Sequence, residues 1–111
     1  MTDTVLKPWG LETRVLTTEV FDLWRLSICD GEETSLHHHQ NKDTLLIVEN
    51  GCVVVTLNGT ERLLGAGESI LIPKGTEHRT NGMRGAVVLE LEWPPNREDL
   101  VRIEDKYGRC E

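Results

Sequence analysis

The chain has 111 residues and carries 19 acidic against 12 basic side chains, which gives a formal net charge of -7. One compact domain fits this length and two do not, and the acidic balance excludes a general binder of nucleic acid or anionic membrane, because either would repel the chain. No apolar run approaches the roughly 20 residues that span a bilayer.

Strand signals dominate the first half of the chain. Residues 15–18 and 21–29 are rich in β-branched and aromatic side chains, and a turn is predicted after them at Asp30. Residues 44–49 lead to Asn50-Gly51, which is a two-residue hairpin signal. The same signal recurs after the next strand-like segment, at Asn58-Gly59, so the sequence predicts two successive hairpins.

The second half continues in the same way. Residues 61–64, 68–72 and 86–93 read as further strands, separated by glycine-rich turns and by a turn at residues 73–75. Only residues 96–99 have the pattern of a cap, and they predict at most one helical turn. Short strands punctuated by glycine predict a single all-β domain over residues 1–111, an antiparallel sandwich or barrel.

Cysteine content indicates a reducing compartment. The chain has three cysteines, an odd number without CxxC spacing, which argues against a disulfide framework: Cys29, Cys52 and Cys110. The N-terminal segment lacks the apolar stretch of a secretory signal. We therefore expect a cytoplasmic protein, with Cys52 as a small apolar core residue.

Three of the four histidines are consecutive, at His37, His38 and His39. On a strand, alternate side chains share a face, so His37 and His39 point together and His38 points away. His78 completes a triad if its segment is a neighbouring strand, and three converging imidazoles make a metal site. The alternative is a polar surface patch.

The spacing around these histidines resembles the two motifs of the cupin superfamily. Residues 31–51 match the first motif, in which His37 and His39 form the HxH pair and Thr44 occupies the position of the glutamate. Residues 67–82 match the second motif, which is a glycine, then Pro-x-Gly, then His78. The resemblance implies one small jelly-roll barrel of the double-stranded β-helix type.

A closer resemblance is to the type II phosphomannose isomerase cupin, which also forms the C-terminal domain of mannose-1-phosphate guanylyltransferases. It rests on Lys7-Pro-Trp-Gly10 and on the tail at residues 97–109, and it covers residues 7–109. It implies a metal-dependent sugar isomerase or epimerase that acts through an enediol on a small molecule, with no nucleic-acid or membrane partner. By analogy with small cupins, we expect a homodimer.

The chain departs from the family at the metal site. The family's ligand set resembles Gln, His, Glu and His; here His37 stands at the Gln position and Thr44 at the Glu position. The resemblance therefore implies that His37, His39 and His78 hold a divalent ion, Zn, Mn, Ni or Fe, with other positions open to water or substrate. Asp43, beside Thr44, is expected to point to the opposite face.

A second departure concerns the substrate. The family is commonly basic in the turn before the histidines, where this chain has Glu32 and Glu33. A phosphosugar needs local positive charge, so this change favours a neutral or less anionic ligand. Five cations are available to compensate: Arg25, Lys74, Arg79, Arg102 and Arg109.

The resemblance assigns Arg102 a catalytic role, as a charge stabiliser for the enediolate or a substrate clamp, and it assigns Arg109 to substrate binding. The residues themselves do not identify the base. Glu90 and Glu92 share one face of a strand and have suitable chemistry if that face lines a cavity. Two other functions stay open: a three-His non-haem iron dioxygenase, and a cupin that binds a sugar or metabolite without catalysis.

Overall fold

The computed structural model describes residues 3–96 and 98–108. These residues form nine β-strands and contain no helix that is long and apolar enough to cross a membrane. The strands are β1 Asp3–Lys7, β2 Gly10–Thr17, β3 Asp22–Ile28, β4 Leu36–His38, β5 Asp43–Leu57, β6 Thr60–Gly65, β7 Ser69–Ile72, β8 His78–Trp93 and β9 Val101–Glu104. All of their pairings are antiparallel, which confirms the all-β prediction.

The two longest strands, β5 and β8, pair along nearly their whole length, from Asp43 opposite Trp93 to Leu57 opposite His78. One half of this pair is flanked by β3 on the β8 side and by β7 on the β5 side. The other half is flanked by β4 and by β6. Strands β1 and β2 extend the first half, and β9 extends the second.

The hairpin prediction at Asn50-Gly51 is wrong. Strand β5 does not reverse there; it bends, with a register shift on each side of Asn50, and it stays paired with β8. Gly51 has a φ of 69°, and on the partner strand Arg84 and Gly85 have φ values of 60° and 70°. The sequence thus correctly indicates a left-handed backbone at Gly51, but this backbone forms a bend that β5 shares with β8 and not a hairpin turn.

The second hairpin prediction is confirmed. Asn58 and Gly59 have φ values of 45° and 84°, both in the left-handed region that a two-residue type I′ turn requires. Leu57 pairs with Thr60 directly across this turn, so β5 and β6 form the predicted hairpin.

The core lies on the inner face of these strands, where alternate residues are buried. The most deeply buried apolar side chains have 0% or 1% exposure: Leu46, Val48, Val53, Val55, Ile72, Ala86 and Val88. Cys52 precedes the inward Val53 and is only half-buried, so its assignment to the core is wrong. Cys29 and Cys52 are free thiols, and Cys110 lies outside the described residues.

The bend gives a prediction about Gly51. A Cβ atom at this position would lie 2.6 Å from the backbone oxygen of Arg84 and 2.7 Å from that of Met83. Gly51→Ala should therefore lower the free energy of unfolding by about 3 kcal/mol or more, measured by urea denaturation, because it adds overpacking to the cost of a left-handed alanine.

Gly59→Ala is the matched control. Gly59 also has a positive φ, but a Cβ atom there meets nothing within 4 Å. Only the conformational cost of about 1–2 kcal/mol applies to it. Equal losses for the two variants would contradict a sterically tight bend at Gly51.

Candidate metal centre and its pocket

Three neighbouring strands bring the predicted site residues together. His37 on β4 pairs with His78 on β8 and with Arg102 on β9. Side chains of directly paired residues lie on the same face of a sheet, so these three project to one side. The adjacency of the two histidine segments is confirmed.

The histidine cluster is compact and shielded from solvent. One ring nitrogen from each of His37, His39 and His78 lies within 4.8 Å of those of the other two. His39 is 6% exposed and His78 is 2% exposed, so the alternative of a polar surface patch is wrong. His38 does not belong to the cluster, as the alternation along β4 predicts.

Backbone carbonyls orient all three imidazole rings. The Nδ1 atoms of His37, His39 and His78 lie 2.8, 2.6 and 2.9 Å from the carbonyl oxygens of Ser35, Asp99 and Thr76. A carbonyl only accepts, so each Nδ1 carries the proton and donates it, which leaves the Nε2 lone pair available. This is the arrangement that metal-binding histidines require, so the cluster has the right chemistry to hold a divalent ion.

Asp99 fixes the position of His39, and the sequence did not reveal this role. Its carboxylate accepts hydrogen bonds from the backbone N–H groups of Gln40 and Asn41, at 2.9 and 2.8 Å. These bonds tie the segment before β9 to the end of the histidine run. The cap pattern at residues 96–99 was the only sequence feature that pointed to this segment. Asn96 Oδ1 accepts a hydrogen bond from the backbone N–H of Glu98 and caps a turn there, not a helix.

Burial keeps the imidazoles neutral. It lowers the pKa of His37 well below its usual range, and repulsion from His78 and His39 adds to the effect. Burial, with the charge of Lys42, lowers the pKa of His39 to about 4 against the opposing hydrogen bond to Asp99. Burial also lowers the pKa of His78. Neutral imidazole is the form that binds metal.

A buried ion pair lies beside the histidines. Glu92 is 7% exposed, its Oε1 is 3.1 Å from Nζ of the buried Lys42, and its Oε2 is 3.9 Å from Nε2 of His39. Glu90 and Glu92 both line the cavity, so the face of β8 that they share points inward. Thr44, which replaces the family's glutamate, is fully buried and is the direct cross-strand neighbour of Glu92.

These groups line a cavity of about 390 Å³. The lining combines apolar side chains with the histidines and with charges of both signs. The apolar lining residues are Trp9, Trp24, Leu26 and Leu100, and the charged ones are Lys7, Glu12, Lys42, Glu90, Glu92, Glu98 and Arg102.

Arg102 is half-buried in this lining, and its Nε makes no hydrogen bond within residues 3–96 and 98–108. Of the other cations considered, Arg79 pairs with Glu33 and Arg25 with Glu49, and neither lines the cavity. Lys74 also lies away from it. Arg109, assigned to substrate binding by resemblance, lies outside the described residues.

The acidic turn does not face the ligand cavity. Glu32 lies 2.8 Å from Nζ of Lys106 and accepts a hydrogen bond from the hydroxyl of Tyr107 at 2.5 Å. Glu33 pairs with Arg79 at 2.9 Å. Both carboxylates are thus paired with cations, Glu32 with the C-terminal segment and Glu33 with β8, and the inference that this turn disfavours an anionic ligand stays a prediction.

Comparison with known proteins agrees with this geometry. The family model of the cupin domain matches residues 24–92. A mannose-1-phosphate guanylyltransferase of Escherichia coli is 33% identical, and the match covers 96% of this chain but 23% of that protein. The xanthan biosynthesis protein XanB of Xanthomonas campestris is 32% identical, with 95% and 23% coverage. The chain thus spans about a quarter of the length of these curated relatives.

Solved structures share the fold at low identity. KdgF from Halomonas sp. superposes with a TM-score of 0.81 at 22% identity, with 86% of this chain and 89% of that chain covered. The Streptomyces nucleoside dehydratase Pac13 superposes with a TM-score of 0.80 at 17% identity, over 93% of this chain and 85% of that one. These likenesses confirm the predicted barrel.

The buried neutral histidines predict how stability depends on pH. Between pH 6.5, the ordinary pKa, and about 4, the unfolded chain binds a proton at residue 39 that the folded chain does not. The free energy of unfolding of the metal-free protein should therefore fall as the pH falls through this range, by on the order of 3 kcal/mol for His39 alone. Urea denaturation in the presence of a chelator measures it.

His39→Gln separates this contribution from that of the carboxylates. The variant should lose less stability than the native sequence between pH 6.5 and 4, because glutamine does not titrate. Identical pH dependence in the two proteins would mean that His39 is not buried in its neutral form.

Proposed function

The chain belongs to the cupin family, and we propose that it is a metal-binding sugar isomerase or epimerase that removes and returns a carbon-bound proton through an enediol. One observation carries the proposal: a buried carboxylate, Glu92, lies 3.9 Å from His39 in the cavity that contains the three imidazoles. The cavity therefore combines a group that can exchange a proton with a cluster that can hold a cation.

The donor set suits a divalent ion. Three neutral imidazoles with their Nε2 atoms free match a site with three protein ligands, which leaves further positions open. When bound, Zn²⁺, Mn²⁺, Ni²⁺ or Fe²⁺ supplies Lewis-acid polarisation of a substrate oxygen.

The chain's own residues perform the proton transfer. Glu92 removes a proton from the carbon next to the substrate carbonyl and returns it to the former carbonyl carbon. The proton of the neighbouring hydroxyl passes to the former carbonyl oxygen, so the reaction needs no oxidant or reductant. Lys42, 3.1 Å away, holds the carboxylate in place. The guanidinium of Arg102, which projects from the strand beside His37, offsets the negative charge that develops on the enediolate.

The cavity also bears on the substrate. A volume of about 390 Å³ suits a monosaccharide-sized ligand. Its apolar side chains fit the C–H groups of a sugar ring, while its charged side chains fit hydroxyl and carbonyl groups. The relatives are mannose-1-phosphate guanylyltransferases, so mannose, its phosphates and the matching ketoses are the first compounds to test. Nucleotidyl transfer is not part of the proposal, because the chain matches only 23% of those proteins.

The two alternatives from the sequence give different results with the same protein. A three-His iron dioxygenase would consume oxygen in the presence of its substrate. A binding protein without catalysis would hold the ligand and leave its carbon-bound protons unexchanged. Deuterium incorporation from heavy water without oxygen consumption supports the isomerase alone.

The first prediction of the proposal concerns metal content. The chelator-treated protein should take up about one divalent ion per chain, measured by elemental analysis after dialysis. The His37→Ala/His39→Ala variant should lose more than about 100-fold in affinity, since it removes two ligands and loss of an outer partner alone costs 10–100-fold.

His38→Ala is the matched control, because it removes an imidazole from the same run without touching the cluster. It should retain the ion at native stoichiometry. Full occupancy in the double variant would place the metal elsewhere.

The second prediction concerns Glu92. Glu92→Gln should lower kcat for carbon-bound proton exchange by about 10²- to 10⁴-fold, because it removes the proton acceptor. Exchange is followed by NMR in heavy water with the responding sugar. Metal content, measured on the same sample, should stay at the native level.

Glu98→Gln provides the comparison, since Glu98 also lines the cavity but is exposed. Its kcat should stay within a few-fold of the native value. A Glu92→Gln variant with native exchange rates and native metal content would assign the proton transfer to another group.

A further inference from the structure

Lys42 is a buried cation beside the histidine cluster. Its side chain is 3% exposed, and its Nζ lies 3.1 Å from Oε1 of Glu92. The other oxygen of that carboxylate, Oε2, lies 3.9 Å from Nε2 of His39. This nitrogen is available to a metal, because Nδ1 of the same ring donates to the carbonyl of Asp99. Glu92 thus faces a lysine with one oxygen and a potential metal ligand with the other.

Glu92 lies close to the potential metal ligands without being one of them. The three imidazoles bring one ring nitrogen each to within 4.8 Å of the other two, and in the described part of the chain Glu92 does not belong to this group. A carboxylate is nevertheless a common ligand of divalent ions. The gap of 3.9 Å to His39 is also smaller than the spread allowed within the cluster. Distance alone therefore does not explain why Glu92 is outside the ligand set.

The segment that carries Lys42 is anchored on both sides. Asp99 accepts hydrogen bonds from the two backbone N–H groups just before it, at 2.9 and 2.8 Å. Just after it, the first residue of β5, Asp43, accepts a hydrogen bond from the backbone N–H of Lys74 at 2.8 Å. Lys42 therefore presents its charge to Glu92 from a fixed backbone.

The charge of Lys42 opposes coordination of an ion by Glu92. If the carboxylate moved onto an ion held by the histidines, the buried ammonium group would lose its partner, which is strongly unfavourable in a protein interior. Without the lysine the balance is reversed, because Glu92 would then be the unpaired buried charge. A divalent ion at the neighbouring imidazoles would be a cation within its reach.

We propose that Lys42 is a positioning residue that keeps Glu92 out of the ligand set and thereby determines which divalent ion the site prefers. The inference rests on the proposed function, of which it uses the metal binding and not the proton transfer. Imidazole ligands suit Zn²⁺, Ni²⁺ and Fe²⁺, whereas carboxylate oxygens suit Mn²⁺. With Lys42 in place the protein ligands are all nitrogen atoms, and the site discriminates against Mn²⁺.

The test compares the binding of Zn²⁺ and Mn²⁺ to the 111-residue protein and to its Lys42→Met variant, by competition with a chelator. Loss of a nearby positive charge strengthens the binding of both divalent ions alike, so the ratio of the two affinities reports the ligand set. Lys42→Met should shift this ratio toward Mn²⁺ by about tenfold or more, because Glu92 becomes an oxygen ligand. Adding Glu92→Gln should return the ratio to its native value.

Lys7→Met is the matched control, because Lys7 lines the same cavity but pairs with Glu12, at 3.8 Å. It should leave the affinity ratio unchanged. Infrared difference spectra between metal-loaded and metal-free protein give a second readout. A carboxylate band should shift on metal binding in Lys42→Met, and this shift should be absent from the native protein and from the Lys42→Met/Glu92→Gln variant.

An unchanged affinity ratio in Lys42→Met would overturn the proposal. If that variant does not fold, as judged by circular dichroism, Glu92→Gln alone decides, because it retains Lys42. It should keep the native ratio and the native infrared spectrum of metal binding, and a change in either would show that Glu92 is already a ligand in the native protein.

Failure of this inference and failure of the proposed function give different results. A native protein that exchanges carbon-bound protons while Lys42→Met keeps the native affinity ratio would overturn the role of Lys42 alone. A shifted ratio in a protein that exchanges no protons would overturn the isomerase and support the role of Lys42. A native chain that binds neither Zn²⁺ nor Mn²⁺ would overturn both.

Discussion

The continuous pairing of β5 with β8 determines the geometry of the rest of the barrel. His78 begins β8 and Glu92 lies near its end, and in a straight strand they would be about 46 Å apart. Both nevertheless line one cavity, because the pair bends where Gly51 faces Arg84 and Gly85. A side chain at Gly51 would meet two backbone carbonyls, so the bend that assembles the site depends on a residue that takes no part in the chemistry.

The histidine cluster depends on backbone groups from three separate segments. Ser35 and Thr76 precede the strands that carry His37 and His78, so these two rings are oriented locally. His39 is oriented by Asp99, 60 residues away, so the C-terminal segment must be in place for the third imidazole to point into the cavity. The bonds of Glu32 to Lys106 and Tyr107 attach the same segment further along. The acidic turn thus contributes to the site through the position of the tail.

Local patterns in the sequence predict the second hairpin and, in whole or in part, β2, β3, β5, β6, β7 and β8, because these follow from alternation or from short spacing. They do not predict β1, β9 or the first half of β8. Alternation places His37 and His39 on one face, whereas His78 joins them through the resemblance to the cupin motifs. The hairpin at Asn50-Gly51 was wrong because a left-handed glycine serves a turn or a bend equally well, and only the partner strand distinguishes them. The sequence did not decide whether the side chain of Glu92 faces solvent or the cavity, because the inner face of β8 carries both core and cavity residues. The role of Asp99 could not be predicted, because it accepts a hydrogen bond from His39 through its backbone carbonyl, a group that every residue has. The partners of Glu32 could not be found from spacing, since they lie more than 70 residues away.

The replacement at Thr44 has a structural counterpart across the sheet. In the resembling family, a glutamate at this position would bind the ion and offset its charge. Here Thr44 is paired directly with Glu92, so the carboxylate of this site projects from the neighbouring strand and is held by Lys42. A carboxylate bound to a lysine, 3.9 Å from the nearest imidazole nitrogen, is not committed to the ion. In the proposed function the two tasks that one glutamate would combine are divided: the three histidines hold the cation, and Glu92 accepts the proton from the ligand.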